Sequence, residues 1–246
     1  LAAAVACAWL RPLDELAGAQ AQAGFKRAVA SFATARALNA VISVVQGTEL
    51  SVQPLGVGVT LTPGQMLDPL NDLVERFSDL MLMASVAFGV QLLLIEIGMH
   101  WGMALLLTLA AFAWAWSCLK RRQSPALLTR LLVALLLVRF IVPLAGMASE
   151  LVYRGFMQEQ YAAGQQGIEQ ASQAIGALAP DTNAADKKWW QLDERIERLG
   201  ATIDRTVEHA IRLIVVFLLQ TLILPLVVFW ILLRSARMLT APAASG

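Results

Sequence analysis

The residues best placed to do chemistry are polar side chains inside apolar stretches long enough to cross a membrane. Arg139 lies within the apolar stretch 127–147, and Gln220 lies within the stretch 210–233. A charged side chain at the centre of a bilayer costs at least ~2.5–3.5 kcal/mol, so we expect Arg139 to face a partner or water. The available partners are polar residues of the other apolar stretches. The predicted intramembrane polar cluster comprises Arg139, Gln220, Thr221, Gln91 and Glu96.

Two prolines are spaced so that they free backbone acceptors beside this cluster. Pro143 follows Arg139 by four residues, and Pro225 follows Thr221 by four. Because proline has no N–H, the carbonyls of Arg139 and Thr221 lose their helical donors. The cluster therefore fits either a conduction or transport path or a hydrogen-bonded latch between helices. The latch is favoured, because the cluster lacks the chain of carboxylates that a proton relay uses.

Histidine is the other residue type with chemistry to offer. His100 and His209 both fall near ends of apolar stretches, and two histidines from two helices can ligate a haem iron. Imidazole is equally stable at a membrane interface without metal, so haem binding is the third hypothesis and no cofactor is predicted. Cys7 and Cys118 lack metal-ligand spacing, and no metal site is predicted.

Motifs of enzymes are absent from the sequence. There is no H-E-x-x-H, no P-loop and no G-x-S-x-G. Because no nucleophile–base pair can be assigned, we predict no catalytic residues and a non-enzymatic protein.

The composition indicates a membrane protein before any element is assigned. Of the 246 residues, 58% are hydrophobic and 15% are charged, whereas soluble domains average about a quarter charged. The net charge of +1 gives no basis for binding nucleic acid. The expected partners are membrane lipid and proteins, including further copies of the chain. Arginine outnumbers lysine and alanine and leucine dominate, a bias typical of GC-rich bacteria.

The elements that must position these residues are predicted to be helices. The sequence indicates an all-α integral membrane protein with four strong transmembrane helices, and a fifth is allowed at the N-terminus. Alternating residues near 55–62 predict one short β-like segment. Five regions follow from these patterns: 1–10 as the tail of an N-terminal membrane anchor, 11–68 as an amphipathic helix plus the extended segment, 69–148 as membrane helices, 149–208 as an extramembrane helical hairpin, and 209–246 as the last membrane helix with a short tail.

Basic residues predict the orientation. Lys120 to Arg122 and the pair Arg234 and Arg237 flank apolar stretches and are expected on the cytoplasmic side of a bacterial inner membrane. Residues 149–208 are then extracytoplasmic. If 80–97 crosses the bilayer completely, 11–68 lies on the cytoplasmic side.

Region 149–208 keeps a helical period while becoming polar. Apolar or small residues recur at steps of four and three on both sides of a turn near 180–186. A seam of this kind buries against another helix, which is either the other arm of the hairpin or a neighbouring subunit. The seam residues are Met157, Tyr161, Gly164, Ile168, Ala171, Ile175 and Leu178 before the turn, and Leu192, Ile196, Leu199 and Ile203 after it.

Protein–protein contacts are predicted at this hairpin. Trp189 and Trp190 form an adjacent aromatic pair near its tip, and aromatic side chains are favoured at interface centres. The glutamine-rich face that includes Gln165 is expected to be solvated. The candidates for partner contact are Trp189, Trp190, Ile168, Ile175, Leu192, Ile196, Leu199 and Ile203.

Three functions follow from these patterns. The leading hypothesis is an oligomeric scaffold or assembly subunit of a membrane complex that uses its hairpin for protein contacts. The alternative is a homo-oligomeric channel or transporter component with a pathway near Arg139 and Gln220. The third is a haem-binding membrane protein.

Overall fold

The computed structural model describes residues 2–46, 50–52, 59–61, 63–121, 126–177 and 190–240, with side chains over 2–46, 67–120, 126–177 and 200–237. Five helices in this part of the chain are long and apolar enough to cross a membrane, which confirms the all-α membrane class. The N-terminal one begins at residue 12, within the region 11–68 that was predicted to hold an amphipathic helix. The five are Pro12–Gln46, Leu67–Gly98, Trp101–Lys120, Ala126–Gly176 and Gly200–Arg237.

Eight α-helices, two short strands and two π-helical turns make up the described elements. The strands are antiparallel, with Leu50 opposite Leu61. The predicted segment 55–62 overlaps the second strand and otherwise lies outside the described residues, so it stays a prediction. In chain order the elements are α1 Ala2–Leu10, α2 Pro12–Gln46, β1 Leu50–Val52, β2 Val59–Leu61, α3 Pro63–Gly98, α4 Trp101–Arg121, α5 Ala126–Val152, a π turn Tyr153–Met157, α6 Gln158–Gly176, α7 Trp190–Leu218, a π turn Leu219–Ile223 and α8 Leu224–Thr240.

The chain forms two compact units. The apolar unit comprises Leu1–Lys26, Ser85–Gly155 and Leu218–Gly246, and the polar unit comprises Arg27–Ala84 and Phe156–Phe217. Each unit is assembled from separate stretches of sequence, and α2 and α3 contribute to both. Residues 27–84 and 156–217 belong to one compact unit. The side of the membrane on which 11–68 and 149–208 lie stays a prediction.

The apolar unit has two clusters of buried side chains. In the first, α1 and α4 pack with α5, and Trp9 donates its indole N–H to Thr108 Oγ1 at 3.0 Å. In the second, small residues of α2 let α3 approach closely. The buried members are Ala8, Ala104, Leu107, Ala111 and Leu132 in the first, and Ala17, Ala21 and Ile95 in the second.

The polar unit buries the heptad seam predicted on α6. Gly164, Ile168, Ala171 and Ile175 are all buried, which confirms that this face packs against other helices. Leu213 of α7 fills the space beside Gly164, with its Cγ 2.7 Å from where a Cβ would lie. The seam is thus covered by the same chain. Ile168 and Ile175, proposed above as contacts for another protein, are unavailable to one because they are 1% and 0% exposed.

The rest of the hairpin prediction falls partly outside the described structure. The turn near 180–186 and Trp189 lie outside the described residues, and so do the side chains of Trp190, Leu192, Ile196 and Leu199. Ile203 is half-buried. The buried residues of α7 that follow it, Thr206, Ala210, Leu213 and Phe217, continue its step of three and four.

Gln165 of α6 binds α2 and is not part of a solvated face. Its side-chain amide donates to Thr34 Oγ1 at 2.7 Å, and its carbonyl oxygen accepts from Ser31 Oγ at 3.1 Å. The expectation for Gln165 is wrong because α2 packs against this side of α6.

The close approach at Gly164 is testable by substitution. We expect Gly164→Ala to lower the free energy of unfolding by about 1–3 kcal/mol, because the new methyl group would displace Leu213 from a packed core. The matched control is Gly200→Ala in α7, which has open space around its Cα and should be neutral or slightly stabilising. Thermal unfolding of the purified protein in detergent measures both. Equal stability of the two variants would contradict the packing described.

Candidate functional site

A buried ion pair lies at the centre of the apolar unit. The guanidinium of Arg139 donates to both carboxylate oxygens of Asp14, with Nη1 at 2.7 Å from Oδ1 and Nη2 bound to Oδ2. Both side chains are 1% exposed. Arg139 is in the middle of the 27-residue helix α5, about 20 Å from either end. The two-point geometry directs two charge-assisted hydrogen bonds along the fork of the guanidinium.

Asp14 is positioned by a break between α1 and α2. Arg11 ends α1 in the left-handed conformation, with φ 57°, and its N–H donates to the carbonyl of Cys7 at 3.1 Å. The Arg11 carbonyl then accepts from the N–H groups of Asp14 and Glu15 as α2 begins. Pro12 suits the first position of a helix because that position needs no N–H donor. The acidic side chain is thus held in the first turn of α2, where the helix dipole favours it.

A second break separates α3 from α4 at Met99 and His100. The Nδ1 atom of His100 accepts from the N–H of Gly102 at 3.2 Å, so this side chain caps the start of α4. Gly98, the last residue of α3, lies beside the ion pair: a Cβ there would be 3.8 Å from Arg139 Nη1. Both breaks therefore lie within about one helical turn of Arg139.

Contacts inside the apolar unit give the direction of each helix. The amide of Gln91 lies against Gly146 while Gly98 lies near Arg139, so α3 is antiparallel to α5. Trp114 donates to Thr129 Oγ1 at 2.9 Å while the earlier residues of α4 pack near Leu132 and beyond, so α4 is antiparallel to α5 too.

The same comparison shows that α1 and α2 run parallel to α5. Ala8 packs near Leu132, Asp14 binds Arg139, and Ala17 and Ala21 pack with the cluster that includes Val142 and Met147. Each broken pair, α1 with α2 and α3 with α4, thus keeps one direction through the unit.

The predicted partners of Arg139 were wrong. None of Gln220, Thr221, Gln91 and Glu96 pairs with it, because Asp14 occupies both ends of its fork. Glu96 is exposed. Gln220 is 3% exposed, and its Oε1 has no hydrogen-bond partner in the described part of the chain.

Gln91 and Thr221 instead line a lateral cavity of about 450 Å³ between α3, α5 and the last membrane helix. The other residues that line the cavity are apolar, among them Val90, Val142 and Pro225. The predicted cluster is thus not one site: Gln91 and Thr221 line the cavity, Glu96 is exposed, and Gln220 is buried outside the cavity lining.

The helix around Pro143 differs from the helix around Pro225. Pro143 is buried within α5, four residues after Arg139. Pro225 follows the π turn Leu219–Ile223, where the N–H of Leu224 bonds to the carbonyl of Leu219. Proline removes a helical donor and crowds the preceding turn, and a widened turn is one way to relieve this.

The histidines lie in different units. His100 is exposed in the apolar unit, with its ring 5.7 Å from that of Trp101. The ring of His209 lies against Gly167 within the polar unit. Across the described residues, no group of three or more His, Cys, Asp or Glu side chains could hold a metal ion.

Asp14 is the functional residue that sequence reasoning missed. An acidic pair at 14–15, just after Pro12 and Leu13, has the pattern of a helix N-terminus, which explains it locally. Its true partner is 125 residues away. The sequence did contain a usable signal: Asp14 and Arg139 are charges of opposite sign, and each lies in a segment of mostly apolar or small residues.

A comparison of this chain with known protein families, curated proteins and solved structures finds no match.

The ion pair makes a prediction about stability. Asp14→Asn leaves the charge of Arg139 buried without its counter-ion, and loss of one partner of such a pair costs about 3–5 kcal/mol. We expect a large drop in the unfolding temperature in detergent, or failure to accumulate in the membrane. The double variant Asp14→Leu with Arg139→Met removes both charges and should recover most of the loss.

The control is Glu208→Gln, which removes an exposed ion pair with Arg212 and should change stability by less than about 1 kcal/mol. If Asp14→Asn were as stable as this control, the ion pair would not be the constraint proposed here.

Proposed function

We propose that this protein is a non-enzymatic subunit of a bacterial inner-membrane complex whose polar unit contacts other proteins. The observation that carries the proposal is the division of charge between the two units. The apolar unit holds only four of the 18 acidic residues, namely Asp14, Glu15, Glu96 and Glu150. The polar unit holds the rest, and its own helices bury the apolar seam of α6. A membrane-embedded body joined to a compact acidic body is suited to assembly.

The proposed topology has four crossings. Because α1 and α2 keep one direction, they form one interrupted crossing, and α3 with α4 form another. Helix α5 and the last membrane helix supply the other two. Lys120, Arg130 and Arg234 mark the end of this set that the positive-inside rule assigns to the cytoplasm. Residues 27–84 and 156–217 are then both extracytoplasmic.

Because the apolar seam of the polar unit is covered by the same chain, a partner protein would bind the exposed faces of this unit. On α3 the exposed acidic residues recur at steps of four, three and four. Within the described part of the chain, Asp68 is the only one of them that accepts a side-chain hydrogen bond, from Gln46. A basic surface on the partner would complement this stripe and speed its approach. The stripe consists of Asp68, Asp72, Glu75 and Asp79.

Blue-native electrophoresis of gently solubilised membranes tests this proposal. We expect the wild-type chain in a complex larger than its own oligomer. The triple variant Asp72→Asn, Glu75→Gln, Asp79→Asn should lose the larger complex, because the complementary charge is gone. The control Asp204→Asn, Glu208→Gln neutralises exposed acids on α7 and should retain it. A wild-type chain that migrates only as a monomer or as an oligomer of its own copies would refute the assembly function.

A channel or transporter component is the second candidate. Two interrupted helices that place ionisable residues at mid-depth are also found where ions and substrates bind in transporters. Ion flux into proteoliposomes that contain the purified protein separates the candidates. We expect no flux above that of empty liposomes. Flux that disappears in the double variant Asp14→Leu with Arg139→Met would favour the second candidate.

A further inference from the structure

The apolar unit exposes charged side chains at the depth of its buried ion pair. Arg11, Glu15 and Glu96 are all exposed. Within the described structure, none of the three side chains takes part in a hydrogen bond or ion pair. These three residues are the mid-depth charges.

Their depth follows from their neighbours. Glu15 is next to Asp14, which binds Arg139. Glu96 follows Ile95, which is buried against Ala17 one turn from Asp14. Along α5, Arg139 lies about 14 Å from Arg130 and about 16 Å from Glu150, so these two charged residues bracket a layer of about 30 Å. The mid-depth charges are therefore at the centre of a hydrocarbon core.

The surface around these charges is apolar. Leu10, Leu16 and Ile97 flank them and are 76%, 52% and 60% exposed. An isolated charge in such a surface would face lipid tails, which cannot solvate it. Ionisable residues inside membranes almost always pair with one another or face water. Because Asp14 and Arg139 bind each other and are both buried, they offer no partner to the mid-depth charges, which need something outside the chain.

We propose that the occupant is a second copy of this chain, with Arg11 of one copy paired to Glu15 or Glu96 of the other. The set contains both signs, so it is complementary to itself, as a two-fold interface requires. Two copies inserted in the same orientation meet at equal depths across an axis normal to the membrane. Arg11, Glu15 and Glu96 share one depth and therefore satisfy this condition. The inference rests on the proposed assembly function and names one partner for it.

Backbone geometry at Arg11 is consistent with a fixed role for this side chain. A non-glycine residue in the left-handed region is uncommon, and such residues cluster where the surrounding structure requires them. The same turn holds Asp14 against Arg139 and directs the Arg11 side chain outwards.

The dimer is tested on the full chain in nanodiscs, with the oligomeric state counted by single-molecule photobleaching. We expect dimers for the wild type, and a dissociation constant at least tenfold higher for Glu15→Gln with Glu96→Gln. Arg11→Glu should dissociate the dimer as well. The charge reversal Arg11→Glu with Glu15→Arg should restore it, which a loss of folding would not allow. Glu208→Gln is the matched control and should leave the dimer intact.

Crosslinking supplies an independent measurement that needs no change of charge. In a background of Cys7→Ser and Cys118→Ser, Ala19→Cys lies one turn beyond Glu15 and is exposed, so it should form a disulfide between copies upon oxidation. Val227→Cys on α8, also exposed, is the control and should not.

Two results would overturn the inference. One is a wild-type monomer, since the mid-depth charges would then have no second copy to pair with; reaction of Glu15→Cys with a water-soluble maleimide would show that they face an aqueous cavity instead. The other is a dimer that tolerates every charge variant, since the interface would then lie elsewhere. Either result leaves the assembly function standing if the α3 stripe variant still loses the larger complex.

Discussion

The ion pair between Asp14 and Arg139 is the constraint on which the apolar unit depends. In a medium that cannot solvate charge, neither side chain is tolerated without the other. The pair therefore ties the first turn of α2 to the middle of α5. Once that point is fixed, the small residues of α2 that follow pack on α3, and α1 packs on α4. Van der Waals packing of small and apolar side chains also holds membrane helices together, but it is less directional than the two-point ion pair, which specifies one register.

The broken helices follow from the same constraint. An uninterrupted helix through residues 2–46 would place a bonded N–H at Pro12, which proline cannot supply. The chain instead turns at Arg11, at a cost of about 1–3 kcal/mol for its left-handed conformation. The hydrogen bonds from Asp14 and Glu15 to the Arg11 carbonyl offset part of this cost. The His100 side chain serves the second break by capping α4. The turn at Arg11 and the break at Met99 and His100 thus both lie beside the ion pair.

Sequence reasoning succeeded where the signal is local and periodic. The apolar stretches and the seam on α6 are repeats within single helices, and their burial follows from helical geometry. The partner of Arg139 was predicted wrongly because no periodicity links residues 14 and 139. Gln165 was misjudged for the same reason: an amide on a polar face reads as solvated unless the helix opposite is known. Both errors involve α2, which was predicted only as an amphipathic helix and whose alanine-rich sequence gives a weak contrast between faces.

Exposed charge has different meanings in the two units. An acidic side chain on the polar unit is solvated by water, so its exposure alone requires no partner. An equivalent side chain on the apolar unit at the depth of Arg139 is not solvated by lipid tails, so its exposure costs free energy that nothing in the chain offsets. The acidic stripe of α3 is therefore compatible with a partner, whereas the mid-depth charges require one or require water. For this reason the intramembrane surface constrains assembly more strongly than the polar unit does, even though the polar unit holds most of the acidic residues.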